Sequence, residues 1–384
     1  MSSYTGIDLT LLLGKVNPAP APLQLMEAIQ SVEVTQSDSE LSGFQIVFQA
    51  GKDANSSSGY PIVGNPLLDP FNRVIIAVNF MGTSTVLMDG IITHLQLQVG
   101  SDPSGSVFAV TGEDVTVMMD LKQKIVKYPA QDEASIVTQI LGGYSQYGLE
   151  LDVETPSFVD TPDPNEYLPV QRGTDLAYVR ELAERFRFVF FVSPGSTPGT
   201  NKAFWGPPFV DRTPQRTITL ESASGTNISG ATSIEYDALA PTSFFGLVQD
   251  RITNEVSSPD IASDDSELPD LSSAPSITSQ RNVRQWLFEG GEGLTGAEAM
   301  ARAQAKVDEA SAQTLVLTGT LDSLRFGGVL KARTLVDVRG AASAFDGKYY
   351  VQKVKHRFTR DNYQQDFTVS REGVGSTIKK AAVS

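Results

Sequence analysis

The sequence of 384 residues contains no cysteine and only two histidines, His94 and His356. Without cysteine, disulfide frameworks, thiol nucleophiles and cysteine-ligated zinc are excluded. Two histidines cannot supply a three-histidine metal site within one chain. Long apolar runs are missing as well, since no stretch approaches the ~18 consecutive apolar residues of a membrane-spanning helix. We therefore expect no cofactor, no metal site and no membrane span.

Basic residues are also scarce, because 30 lysines and arginines stand against 45 aspartates and glutamates, a net charge of −15. Proteins that bind nucleic acid through its backbone need clustered basic residues to neutralise phosphates. A general basic surface of that kind is excluded here, so we expect no direct nucleic-acid partner.

The length suggests two or three domains, at ~150 residues per domain, and the patterning divides the chain into four segments. Residues 1–120 and 211–375 are rich in predicted strands, residues 121–210 combine helices with strands, and residues 376–384 are a predicted flexible tail. The predicted fold class is therefore mainly β with an α+β insert.

Alternating apolar and polar residues predict short strands throughout the first segment. Turn residues at Met81-Gly82-Thr83, Asp89-Gly90 and Gly112-Glu113-Asp114 separate them. Six or seven short strands within about 90 residues indicate an antiparallel barrel or sandwich. The predicted strands cover residues 31–36, 44–49, 73–79, 84–88, 90–99, 107–111 and 115–119.

Helical periodicity appears in three places. Residues 132–141 place apolar side chains on one face, and Thr174 is a predicted cap for a second helix that precedes the apolar strand 188–192. Thr295 and Glu298 have capping-box spacing before a third helix over residues 297–310. Predicted strands of the last segment cover residues 217–221, 232–237, 244–248, 314–321, 334–338, 349–358 and 366–371.

The segment 257–276 holds five acidic residues, three prolines and no basic residue. Such a composition cannot bury enough apolar area to offset the entropy of ordering the chain. We expect a mobile acidic loop there, either a solubilising surface loop or a docking element.

Several sequence patterns resemble cofactor-binding or catalytic motifs but lack the neighbouring elements that such motifs require. The run 291–296 matches G-x-G-x-x-G and opens a helix, but the expected buried parallel strand and βαβ series are missing, which favours a flexible helix entry. A Ser-His-Asp triad would need His94 or His356, and both lie in predicted strands as packed or half-buried side chains, with no G-x-S-x-G elbow.

Carboxylates are numerous, and one group of five lies close together in the sequence between residues 152 and 166. This acidic cluster lacks the glycine and the ligand spacing of an EF-hand calcium loop. The chain also has no G-x-x-x-x-G-K-[ST] phosphate-binding loop. A glycosidase-type carboxylate pair stays open, yet the pattern as a whole predicts that the protein is not an enzyme. The cluster consists of Asp152, Glu154, Asp160, Asp163 and Glu166.

Two stretches together resemble the phage late control D family. Residues 170–186, with the order Gln171, Asp175, Leu176 and an arginine-containing helix, run into the aromatic strand 188–192. Residues 345–358 and 366–371 resemble the closing hairpin of that family. The segments 42–44, 112–114 and 299–310 fit its first barrel and its alanine-rich helix, so the resemblance covers most of residues 30–372.

This family comprises the central hub proteins of contractile tails in phages, tailocins and contractile injection systems, and the N-terminal part of VgrG. The resemblance implies three copies in a ring, each contributing two tube-like antiparallel β-barrels and a smaller α+β domain. Such a ring joins a sixfold inner tube to a threefold spike. It also implies assembly in the bacterial cytoplasm and residence in a tail or injection particle, with release from the cell left open.

The resemblance also implies partners. They are the inner tube protein, other baseplate proteins and a spike that is VgrG-like in its C-terminal part or tail-lysozyme-like. VgrG chains continue into an OB domain and a β-helical needle, so we expect the spike here to be a separate polypeptide. The alternative function is a β-sandwich particle protein that binds a receptor or a glycan.

One candidate interface comes from charge asymmetry. Residues 322–383 carry twelve basic against six acidic residues, although the whole chain is acidic. Lys353, Lys355 and Arg357 alternate onto one face of a predicted strand, opposite Val354 and His356. This basic strip (Lys353, Lys355, Arg357) is either a subunit interface or a solvated strand face.

Overall fold

A computed structural model describes residues 6–51, 59–101, 105–165, 167–208, 213–221, 225–258, 270–289 and 293–377. Within these residues the protein is mainly β, as the sequence predicts, and its strands and helices fall into a first β unit, a middle unit and a last β unit.

Several strands of the first β unit, such as Ile29–Ser37 and Gly43–Gln49, have alternate apolar residues and bury one face, whereas Arg73–Phe80 is buried on both faces. Residues 115–119, predicted as a strand, differ in type. They form a 3₁₀ helix, because Asp114 accepts a hydrogen bond from Thr116 N and caps it. The elements are β1 Ile7–Gly14, β2 Ala19–Pro20, α1 Leu23–Ala28, β3 Ile29–Ser37, β4 Gly43–Gln49, β5 Arg73–Phe80, β6 Thr83–Gln98 and β7 Val107–Asp114.

The middle unit packs two helices against small sheets. Asp132 and Thr174 cap the two helices by accepting hydrogen bonds from Ser135 N and Ala177 N. The cap at Thr174 is the predicted one. The elements are β8 Lys124–Lys127, α2 Glu133–Gly142, β9 Leu149–Val153, β10 Val170–Gly173, α3 Asp175–Glu184, β11 Val189–Pro194 and β12 Asn201–Gly206.

The last β unit contains one long helix, residues Gly296–Ala312. Thr295 caps it, and its side chain accepts a hydrogen bond from Glu298 N. The elements are β13 Ile218–Thr219, β14 Ser233–Tyr236, β15 Thr242–Phe245, β16 Val248–Gln249, β17 Val256–Ser257, β18 Ser272–Pro275, α4 Ser276–Ser279, β19 Arg284–Leu287, α5 Gly296–Ala312, β20 Leu315–Asp322, α6 Ser323–Phe326, β21 Leu335–Arg339, β22 Gly347–Thr359, β23 Tyr363–Arg371 and β24 Gly373–Ser376.

The two β units share one 13-stranded sheet, although the sequence suggests separate segments. Its order is β14-β20-β23-β22-β3-β4-β7-β6-β5-β1-β2, with β13 and β21 attached at the side. The junction is the antiparallel pair β22–β3, which runs in register from Lys353 opposite Ser37 to Thr359 opposite Ser31. Strand β22 is therefore the hydrogen-bonded link between the two halves.

Strand β22 also contributes to two hydrophobic cores. Val351 and Val354 lie in the core of the last β unit. Phe358, nearer the end of the same strand, stacks on Tyr363 and belongs to the core of the first β unit. A third core fills the middle unit, and Val248, Phe288 and α5 form a fourth. Because one strand enters two cores, the β units cannot separate without exposing apolar surface of both.

Two segments that were predicted as turns belong to strands instead. Asp89-Gly90 lies inside β6, and Gly112-Glu113-Asp114 ends β7. A side chain at Gly90 would lie 2.4 Å from the Glu113 carbonyl oxygen, and one at Gly112 would lie 2.3 Å from that of Ile91. These glycines permit close approach of neighbouring backbones rather than a reversal of the chain.

The predicted acidic loop and tail are only partly described, because residues 259–269 and 378–384 lie outside the described residues. The prediction is wrong for residues 272–276. Strand β18 pairs with β24, and Glu372 accepts hydrogen bonds from Leu271 N and Ser272 N at 2.8 and 2.7 Å. Residue Ser376, expected in the flexible tail, lies in β24. A partner one hundred residues away supplies order that the local composition does not indicate.

Arg333 lies where all three units meet, and it is buried. Its guanidinium donates to Ser37 O and to Ser42 Oγ (2.9 Å) of the first β unit and lies 4.0 Å from the ring centroid of Phe191 in the middle unit. Its own backbone N–H donates to Val351 O in the last β unit. Burial lowers the pKa of Arg333, and the nearby Asp114 carboxylate partly offsets that effect.

A second buried cluster ties the first β unit to the middle unit. Arg73 and Asp89 form a double hydrogen bond, Nε–Oδ1 and Nη2–Oδ2, each 2.7 Å long. Arg73 Nη2 also donates to the carbonyl oxygens of Tyr147 and Gly199, and Asn201 Nδ2 donates to Asp89 Oδ2 at 3.1 Å. The ion pair itself lies within the first β unit, and the hydrogen bonds to Tyr147, Gly199 and Asn201 connect it to the middle unit.

We predict that Asp89→Asn destabilises the protein strongly, because it leaves the buried Arg73 guanidinium without its counter-charge. Losing one partner of a buried pair costs about 3–5 kcal/mol. The free energy of unfolding in urea measures the effect. Asp152→Asn is the matched control, because Asp152 pairs with Lys202 at the surface and its loss should cost about 1 kcal/mol or less. Equal effects of the two substitutions would contradict this account of the cluster.

Candidate functional site

The basic strip lies on β22 as the alternation predicts. Lys353, Lys355 and Arg357 are each about one-third to two-fifths exposed, whereas His356 and Phe358 on the opposite face are buried. The strip therefore faces outward from the sheet at the junction between the two β units.

Each cation of the strip has a partner within the same chain. Lys353 Nζ lies 2.5 Å from Glu40 Oε2, Lys355 Nζ lies 2.6 Å from Glu33 Oε2, and Arg357 Nη2 lies 2.8 Å from Asp366 Oδ1. Two of these carboxylates belong to β3 or the turn after it, and one belongs to β23. The sequence does not reveal these partners, because they depend on the register of β22 with its neighbours. The strip's role at a subunit interface stays a prediction.

The helix motif of the middle unit has a structural role in this protein. Gln171 and Asp175 are both buried, and Gln171 Nε2 donates to Asp175 Oδ1 at 2.8 Å. Tyr128 donates to Gln171 Oε1, while Lys124 and Tyr144 donate to Asp175 Oδ2. Burial alone would raise the pKa of Asp175, but these hydrogen bonds outweigh it and lower that pKa. The network fixes the start of α3 against β8 and β10.

At the glycine-rich run before α5, the backbone binds a carboxylate of the same chain, where a dinucleotide site would bind a phosphate. Residues 291 and 292 lie outside the described residues, but Gly296 N donates to Asp250 Oδ2 at 2.7 Å. The hydrogen bonds from Gly296, Thr253 and Ile252 lower the pKa of Asp250 to about 2. A carboxylate of the chain itself thus neutralises the positive end of the helix. The preceding strand β19 is parallel to β15 but mostly exposed.

The two histidines differ in their surroundings. His94 is exposed, contrary to the prediction, because a β-bulge between Ile92 and His94 turns it away from the packed side of β6. His356 is fully buried as predicted, and its Nδ1 lies 2.9 Å from Tyr363 Oη. Burial lowers the pKa of His356 to about 3. Among the described residues, His356 makes its side-chain hydrogen bond to a tyrosine hydroxyl and not to the serine and carboxylate of a triad.

The acidic cluster of the sequence is not a single site. Asp152 pairs with Lys202, Asp160 pairs with Arg251, and Asp163 accepts hydrogen bonds from Asn165. Glu166 lies outside the described residues. Across the described ranges, no group of three or more histidine, aspartate and glutamate side chains is arranged to hold a metal ion. No helix among the described residues is long and apolar enough to cross a membrane.

A cavity of about 550 Å³ lies where α3, α5, β22 and β23 come together. Arg180, Arg187, Asp38 and Asp308 line it together with apolar side chains such as Phe190. Burial raises the pKa of Asp38, and the Tyr350 hydroxyl and the charge of Arg333 partly offset that rise. Neither histidine contributes to its described lining. The cavity is a gap between the three units with mixed charges around it.

An exposed apolar patch on the last β unit was not foreseen from the composition. Strands β15 and β19 form a two-stranded sheet that leaves Phe245, Trp286, Leu287 and the following Leu247 between 46% and 77% exposed. Arg284 stacks 5.0 Å from the Trp286 ring. The register pairs Phe245 with Leu287 and Trp286 with Phe244, so Phe245 and Leu287 share one face of this sheet and Trp286 lies on the other. Neighbouring exposed apolar groups such as Phe245 and Leu287 are typical of surfaces that contact other molecules.

The sequence matches no protein-family model and no curated protein, but the structure matches solved structures over almost its whole length. A tail protein from Neisseria meningitidis aligns with a TM-score of 0.66 at 13% identity, over 97% of this chain and 98% of that one. The tail protein of prophage MuSo2 from Shewanella oneidensis aligns with a TM-score of 0.61 at 13% identity, over 95% of this chain and 98% of that one.

A third similar structure comes from a secretion system. The Escherichia coli c3393 protein, described as a component of the type VI secretion system with structural similarity to the T4 tail proteins gp27 and gp5, aligns with a TM-score of 0.55 at 13% identity. The match covers 93% of this chain and 77% of that one. At these identities the likeness concerns the fold: the chain has the fold of phage tail and type VI secretion proteins.

Proposed function

We propose that the protein is the structural hub of a contractile tail or contractile injection system. Three copies form a ring, and each contributes two tube-like β-barrels, one from each β unit. The ring joins the sixfold inner tube on one side to the threefold spike on the other. The protein acts mechanically and not as an enzyme.

The observation that carries this proposal is the end-to-end match with tail proteins, which spans 97% and 95% of this chain. A match limited to one domain would be weaker support, because common folds serve many functions. The match instead includes the first β unit, the middle unit and the last β unit in the same chain order.

The internal construction supports a mechanical role. The β22–β3 pairing, Arg333 and the Arg73–Asp89 cluster connect the three units through buried contacts. A body that transmits force between a tube and a spike needs such rigid connections between its parts. The proposed partners are the inner tube protein, a trimeric spike and other baseplate proteins. The proposed location is the bacterial cytoplasm during assembly and then the tail or injection particle.

The alternative function is a particle protein that binds a receptor or a glycan. The observation that favours it is the exposure of the aromatic rings of Phe245 and Trp286, because aromatic rings stack on sugars. Arg284 already lies over the Trp286 ring, which reduces the surface available for such stacking. We therefore prefer the hub.

We predict that the purified protein forms trimers, alone or when its spike protein is added, because a head-to-tail interface closes into a ring at a fixed copy number. Light scattering after size-exclusion chromatography gives the mass of the complex. The expected mass is three times that of the chain for the protein alone, or that mass plus the mass of one trimeric spike when spike protein is present. A stable monomer at high concentration with spike present would contradict the hub and favour the alternative.

We predict that ring assembly weakens as salt rises if the basic strip contacts a neighbouring subunit, because the screening length falls to ~3 Å at 1 M salt. Replacing Lys353, Lys355 and Arg357 with glutamate should then block assembly and leave the monomer folded, as judged by circular dichroism. The matched control reverses Lys331, Lys348 and Arg339 instead, which lie outside the strip and carry the same total charge. Assembly that responds to neither salt nor the strip reversal would show that the strip only makes its ion pairs within the chain.

A further inference from the structure

Among the described strands, β1 leaves one edge of the large sheet partly unpaired. Strand β1 pairs along its whole length with β5, but on its other side β2 covers only Leu12 and Leu13. Ala21 N donates to Leu11 O at 2.8 Å, so the backbone groups of Leu11 face this second side. Backbone groups alternate in direction along a strand, so those of Ile7 and Leu9 face it too. No strand in the described ranges pairs with them.

A groove of about 900 Å³ runs beside this open edge. Ile7 and Leu9 form one wall, and Leu23 and Met26 of α1 with Leu324 of α6 contribute further apolar lining. Leu23 is 71% exposed. An apolar groove next to unpaired backbone donors and acceptors is the arrangement that accepts an added strand from another chain.

The charges around the groove are mostly negative. Glu27, Asp322 and Asp361 line it, against the single cation Arg360. The segment that would fit is therefore extended, apolar on one face and basic at its flanks.

Strand β8 of the middle unit has these properties. Among the described residues it pairs only with β10, so its other edge is open as well. Ile125 is 80% exposed, which is exceptional for an isoleucine in a strand. Lys122 and Lys127 flank it and are exposed, and the segment 121–127 contains no acidic residue.

We infer that β8 of one copy adds to the open edge of β1 in the next copy. Ile125 enters the groove beside Leu23, and Lys122 and Lys127 face the carboxylates of Glu27 and Asp361. The open part of β1 and strand β8 are both four residues long. The two surfaces differ, so the contact is head-to-tail and generates a ring when the rotation closes. This inference rests on the proposed ring and names the surfaces that form it.

Cysteine cross-linking tests the contact, because the chain has no cysteine of its own. Leu23→Cys and Ile125→Cys chains are prepared separately, mixed with wild-type spike protein and treated with a short bis-maleimide. We expect a covalent dimer from the mixture and none from either variant alone. The matched control mixes Leu23→Cys with Leu247→Cys, whose position is 77% exposed but lies outside the proposed contact.

Charge reversal gives a second readout on the same mixture. Adding Lys122→Glu and Lys127→Glu to the Ile125→Cys chain should lower the dimer yield about tenfold, since two ion pairs are reversed. Adding Glu27→Lys and Asp361→Lys to the Leu23→Cys chain should then restore the yield.

The outcomes separate this inference from the proposed function. Trimers by light scattering without the Leu23–Ile125 cross-link, or with an equal cross-link to position 247, would overturn the contact and leave the hub intact. A protein that stays monomeric with spike present would overturn both.

Discussion

The antiparallel pairing of β22 with β3 is the constraint on which the rest of the structure depends. It merges two β units into one sheet and brings Phe358 into the first core while Val351 and Val354 stay in the last. It also places Ser37 and Val351 on either side of Arg333, whose guanidinium then reaches the ring of Phe191. Without this register the middle unit would lose the contact through Arg333 that ties it to both β units.

Charge is used differently inside and outside this protein. The buried guanidiniums of Arg73 and Arg333 hold units together, because each has several partners and removing one leaves an unpaired charge in a dry environment. The exposed strip on β22 is compensated pair by pair with carboxylates of neighbouring strands, and pairs of this kind contribute ~0–1 kcal/mol each. Rigidity therefore comes from the interior, and the surface is left for contacts with other chains.

Local features were predictable from the sequence, and features set by distant partners were not. The caps at Asp132, Thr174 and Thr295 were predictable because a side chain and a nearby backbone N–H suffice for each. Asp89-Gly90 resembles a turn, but the approach of the Glu113 backbone gives it a different role. The order of β18 comes from β24, and the carboxylates that face the basic strip come from other strands. Both depend on register, which local patterns do not contain.

The most direct test of the hub is an image of the assembled particle. Cryo-electron microscopy of tails or injection particles that carry this protein should show three copies in one ring. The two β units of each copy should face the hexameric tube on one side of the ring, and the trimeric spike should lie on the other side. A ring of any other copy number, or density for this protein only at the periphery of the particle, would contradict the account.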